Sequence, residues 1–266
     1  SAAGGASAGL VSDSGSMNVY NSSFSNCSVG GNTGAGVFTT KKEGKLNISQ
    51  SSFRRNQADF GGAAVALVGG TVDVRFSQFY QNSVSGGFGG AIYASTKGVV
   101  TLHTCSFERN TAVEGGAIYV SGSGGNVTVS NSNFTSNTAS KGGAIRSIQQ
   151  SLVQLETSTF RLNSAGSAGG AISSVSSNLK ADGCIFEENS AQYYGGSMFL
   201  EDTLDGSIIE NSRFYRNKAT ETVSKGGGLY TSPSATGISV SAVGLRNVNF
   251  SENIAASGGA IFWERE

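Results

Sequence analysis

Glu156, Asp182 and Glu210 are the residues best placed to do chemistry. Each lies four positions before a phenylalanine, Phe160, Phe186 or Phe214, so a repeating chain would bring them together. Two carboxylates about 5 Å apart suit retaining glycoside hydrolysis, and about 6.5–9.5 Å suits inversion. An oxygen-rich stack can also hold calcium. The same offset selects Tyr20, Ser49, Arg75, His103, Ser130 and Arg246 elsewhere. Arg246, with Lys180 on the adjacent row, can neutralise a solvated acidic ladder, which accounts for the three acids without catalysis. His103, the single histidine, reads as a surface member of this row. No nucleophile–base pair, metal-ligand spacing or cofactor motif occurs elsewhere, so no catalytic residue, metal or cofactor is expected.

A second set suits binding. After recurring Gly-Gly-Ala-Ile segments come Phe38, Val65, Tyr93, Tyr119, Arg146, Ser173, Phe199, Tyr230 and Phe262. Tyr93 with Tyr119, and Tyr230 with Phe262, would form exposed aromatic strips able to stack on sugars or anchor a protein partner. Cross-strand stabilisation, or cover by a turn, is the plainer account of them. Asn-X-Ser/Thr triplets occur at Asn21, Asn26, Asn47, Asn126, Asn133 and Asn249. Asn47, Asn126, Asn133 and Asn249 fall on outward rows and are the candidate glycosylation sites. Cys105 and Cys184 stand two before a phenylalanine, where other repeats carry serine, and three repeats apart; with Cys27 they are expected to be three free thiols.

The elements positioning these residues follow from internal repetition. Nine phenylalanines head the repeats: Phe24, Phe53, Phe79, Phe107, Phe134, Phe160, Phe186, Phe214 and Phe250. Three residues after each comes Asn56, Asn82, Asn110, Asn137, Asn163, Asn189, Asn217 or Asn253, with Cys27 the exception. Apolar residues alternate five and seven positions before, as in Val127/Val129 and Val153/Leu155, which is the period of a half-buried strand. A further strand follows the glycines, so each repeat reads as three short strands.

One such repeat cannot bury its own apolar side, so the repeats must stack. Equivalent strands then pair in parallel about 4.8 Å apart, with right-handed crossovers. The fold expected is all-β: a parallel β-helix over 1–266, pectin lyase-like, of nine to ten coils. Phenylalanine fills the interior as a ladder, asparagine bonds its counterpart at a corner, and an Ala row (from Ala63 and Ala91 onward) leads an inward Ile row.

Composition agrees. The 266 residues carry zero formal net charge, 14% charged residues, 39 glycines and one proline. No basic run suggests nucleic acid, and no apolar stretch is long enough to span a membrane. The chain carries no cap at either end, so a segment of a longer protein, or end-to-end self-assembly, is expected. Insertions near 220–225 and 231–244, the latter with Pro233, are expected to project.

The paired motifs Phe107/Asn110/Gly115-Gly116-Ala117-Ile118 and Phe134/Asn137/Gly142-Gly143-Ala144-Ile145 resemble the repeats of chlamydial polymorphic outer membrane proteins, and similar repeats of secreted or surface proteins of algae and protists. Gly34–Phe38, Gly195–Phe199 and Gly226–Tyr230 depart from the motif. The resemblance implies a right-handed β-helix serving adhesion at the cell surface. The expected function is a non-enzymatic extracellular structural or adhesive protein, partnered by other subunits or cell-surface glycans. The alternative is a polysaccharide lyase or glycoside hydrolase using the acidic row.

Overall fold

A computed structural model describes residues 10–12, 15–30, 38–204, 206–233 and 243–264, with the backbone alone for 10–12 and 38–42. Among these residues every named element is a strand, and the strand pairs are parallel. The phenylalanines head a nine-stranded sheet of three-residue strands, Ser23–Ser25 to Asn249–Ser251, with Phe partnering Phe at each step. The strands before them and those after the glycines form two further columns. These merge through the long strands Phe38–Ser49 and Val65–Arg75.

Aromatic stacking and amide bonding hold the coils in register. The phenylalanine rings stack with centroids 4.6–5.2 Å apart and planes within 18° of parallel. From Phe53 to Phe214 they are fully buried. Beside them the asparagines form a closed ladder. Asn137 Nδ2 donates to Phe107 O of the preceding coil and to Asn163 Oδ1 of the next, each at 3.0 Å. Its own Oδ1 accepts from the backbone N–H and the amide of Asn110, also at 3.0 Å. Each interior amide is thereby satisfied without water, as burial demands. Cys27 ends the ladder by donating its backbone N–H to Asn56 Oδ1.

The glycine pair has two separate causes. Gly142 takes φ +62°, and a Cβ there would lie 2.2 Å from Ile145 O. Gly143 faces the next coil, where a Cβ would lie 2.1 Å from Gly170 O. Turning tightly and stacking closely each need one glycine.

Three expectations change. Among the described residues seven of the nine coils have a fourth short strand after the asparagine position, as at Gln57–Ala58, Ser83–Val84 and Ser164–Ala168, which lines the inner face with small residues, while Thr111 and Ile254 form isolated bridges in the other two. In the second coil the expected register is one residue off. Gly62, with φ +58°, is the turning glycine, and Val65 pairs with Ile92 while Ala66 pairs with Tyr93. Ala64, not Ala63, therefore heads the Ala row, and Val65 and Phe38 belong to the Ile row. Third, the insertion at 220–225 is a compact turn closed by Ser224 N–H to Glu221 O, with Val223 exposed. Residues 234–242 of the second insertion lie outside the described residues.

Candidate functional site

Two left-handed corners flank every phenylalanine strand. The residue three before each phenylalanine has positive φ, from Asn21 and Gln50 through Asn131 and Thr157 to Asn247, as does the residue two after. The first corner turns the acidic row outward. Glu156, Asp182 and Glu210 partner one another directly, and Arg246 follows Glu210. The row is thus a column on successive coils, as expected. Glu156 and Asp182 are exposed and Glu210 is half-buried. Arg246 Nη1 lies 2.8 Å from Glu210 Oε1, and Asn211 Nδ2 donates to Asp182 Oδ1 at 2.8 Å. Among the described residues no three His, Cys, Asp or Glu side chains are grouped to hold a metal. His103 is half-buried, with Nδ1 2.9 Å from Ser130 Oγ.

The aromatic row departs from expectation. Tyr93 stacks on Tyr119 at 5.7 Å, Phe199 on Tyr230 at 5.1 Å and Tyr230 on Phe262 at 5.9 Å. These are not exposed strips, because Tyr119 and Tyr230 are each only 5% exposed and Tyr93 and Phe262 are half-buried. The cover is a column of residues immediately before the turning glycines: Phe88, Glu114, Lys141, Ala168, Tyr194 and Lys225. It leans one coil forward. Phe88 lies 4.5 Å from Tyr119, Glu114 pairs with Arg146 at 3.3 Å, Tyr194 lies 5.0 Å from Tyr230, and the Lys225 ammonium sits 4.9 Å over Phe262. Arg146, buried in the aromatic row, also donates to Ser173 Oγ at 2.7 Å.

Burial, with the Glu114 charge beside it, pushes the Tyr119 phenol up to about 12. Burial and a bond to the Glu264 carboxylate raise Tyr230 as well. Lys225, 2.5 Å from Glu264, holds that carboxyl below its usual range. Tyr93, Tyr119, Tyr230 and Phe262 thus form a packed seam. The covering column carries mixed residue types at varying distance from the phenylalanines, so its only signal is an aromatic or charged residue just before the turning glycine.

The sequon asparagines divide differently from their expected grouping. Asn133 and Asn249 are exposed on phenylalanine strands, and Asn21 and Asn26 are exposed at left-handed corners. Asn47 is half-buried and donates to Asn18 Oδ1 at 2.7 Å, while Asn126 buries its Oδ1. The three cysteines are free thiols. Cys105 and Cys184 are buried in the serine column, where burial pushes each up to about 11.

A solenoid of parallel coils with internal phenylalanine and asparagine ladders defines a β-helical repeat protein. The family model for the right-handed β-helix region matches residues 4–160 and again 79–264. The chain belongs to that family. Comparison with curated proteins and with solved structures finds no match.

Proposed function

We propose that the chain is a β-helical segment of an extracellular or surface-displayed protein, with a structural or adhesive role and no catalysis. The observation that carries this reading is where the outward charges go. Glu210 is closed by Arg246 and Asp182 by Asn211, so two of the three acids are tied into the same coil-to-coil bonding as the interior. Rows devoted to stacking make a stiff rod, and its partners would be other protein subunits or cell-surface glycans. Exposed Asn133 and Asn249 would carry glycans if the chain passes through a eukaryotic secretory route.

The specific observation favouring an enzyme is the register of Glu156, Asp182 and Glu210 on successive coils. One experiment separates the two readings. The full chain is incubated with acidic and neutral polysaccharides, and product and retained protein are measured for wild type and Asp182→Asn. Saturable retention without product, unchanged by the substitution, fits the proposal. Chain cleavage lost in Asp182→Asn overturns it.

A further inference from the structure

The left-handed corner three residues before each phenylalanine is filled by small or polar side chains at Asn21, Gln50, Thr104, Asn131, Thr157, Gly183, Asn211 and Asn247. Phe76 is the exception. It takes φ +50°, a conformation that bulky side chains avoid, and leaves 54% of its surface in water. Every coil turns left-handed at this corner, so what sets this one apart is a large aromatic ring facing solvent, the kind of surface that stacks on a ligand.

Its surroundings point the same way. Beside it on the outer face of the preceding strands, a groove of about 350 Å³ is lined by Asn18, Tyr20, Asn47, Asp73 and Arg75. Tyr20, two coils from Phe76, is 67% exposed. The two rings are therefore separated by about 10 Å along the rod at the parallel-strand spacing. Along one side of the column that joins them, two residues back on the same strands, lie planar polar groups already held in place. Arg75 Nε and Nη2 donate to the two Asp73 oxygens at 2.9 and 3.1 Å, and Asn47 donates to Asn18 at 2.7 Å. The His103 ring meets Phe76 edge to face at 5.8 Å and is anchored by Ser130, which steadies the platform.

We propose that this surface binds a short neutral oligosaccharide. Phe76 and Tyr20 would stack on the apolar faces of two sugar rings, and the Asn18–Asn47 and Asp73–Arg75 pairs would receive and donate bonds to the hydroxyls along one edge of the ligand. The closed Arg75–Asp73 fork cancels its own charge, which selects a neutral ligand over an acidic one. The site rests on the adhesive reading above and gives that reading a place and a ligand class. The covered seam of Tyr93, Tyr119, Tyr230 and Phe262 takes no part in it.

The test uses the full chain with neutral gluco-, manno- and galacto-oligosaccharides and uronic-acid oligosaccharides as comparators, read by titration of intrinsic fluorescence and by calorimetry. Phe76→Asn places at this corner the residue that four other coils carry there, so its thermal midpoint should equal or exceed that of wild type. Affinity for the neutral ligand should fall at least tenfold in Phe76→Asn and again in Tyr20→Ser. Undiminished binding in both variants overturns this site and leaves an adhesive role elsewhere on the rod standing. Capture of uronic-acid chains alone, of a protein alone, or of nothing also overturns it. Surface display, read separately by antibody staining of intact cells, tests the broader reading.

Discussion

Replacing Asn137 by alanine probes the internal ladder where its bonding is complete. The substitution removes the acceptor of the Asn110 backbone N–H and of one Asn110 amide hydrogen, and the donor to Phe107 O. All three orphaned groups lie in a fully buried column. Each buried polar group left unsatisfied costs about 1–3 kcal/mol, so roughly 3–6 kcal/mol is expected once a water partly fills the gap. Asn47→Ala is the control. It also removes an amide from a ladder of two asparagines, but on the solvated face, where water replaces the partner; the expected change is within about 0.5 kcal/mol. Urea unfolding of both variants, followed by far-ultraviolet circular dichroism, gives the comparison. Solenoids unfold as linear arrays, so a fall in the slope with denaturant in Asn137→Ala would mark separation into two halves at that coil. Equal costs for the two substitutions, or less than about 1 kcal/mol for Asn137→Ala, would refute the reasoning.

Gly143→Ala should prevent folding or cost more than about 4 kcal/mol, because its Cβ meets the backbone of the next coil. Gly183→Asn, at a corner where other coils carry asparagine and where a Cβ would meet Thr157 no closer than 3.6 Å, should shift the thermal midpoint little; thermal unfolding reads both. One thiol, Cys27, should react with a disulfide reagent near pH 8 in the native chain and three after denaturation, because Cys105 and Cys184 are buried with raised pKa values. A folded thiol pKa above its unfolded value gives stability that is complete below pH 8.5 or so and is lost as pH rises toward about 11. Cys105→Ser with Cys184→Ser should reduce that alkaline loss in urea titrations, leaving the part due to Tyr119 and Tyr230.

The phenylalanine and asparagine columns were legible in the sequence because each is filled by one residue type at a constant offset of three. Glu156, Asp182 and Glu210 were placed correctly for the same reason, since their offset to phenylalanine crosses a corner of fixed length. The seam was not legible. Between phenylalanine and the turning glycine the chain runs from eight residues in Phe107–Gly115 to twelve in Phe214–Gly226, so its covering residues share neither type nor spacing. In the second coil, Gly61-Gly62-Ala63-Ala64 fits the glycine motif in two ways, and only the positive φ of Gly62 decides between them. The left-handed corners were hidden because asparagine, glutamine, threonine, arginine and glutamate all occupy them, and glycine stands there only at Gly183.

Pairwise cross-linking tests the stacking register most directly. In a chain with Cys27, Cys105 and Cys184 replaced by serine, Ser106→Cys with Asn133→Cys places two thiols on directly partnered residues of adjacent coils. Their separation of about 4.8 Å falls within disulfide range. Ser106→Cys with Thr159→Cys places them two coils apart, beyond that range. Mild oxidation should close the first pair and leave the second reduced. A disulfide in the second pair, or none in the first, would contradict a solenoid in which every phenylalanine strand lies on the next.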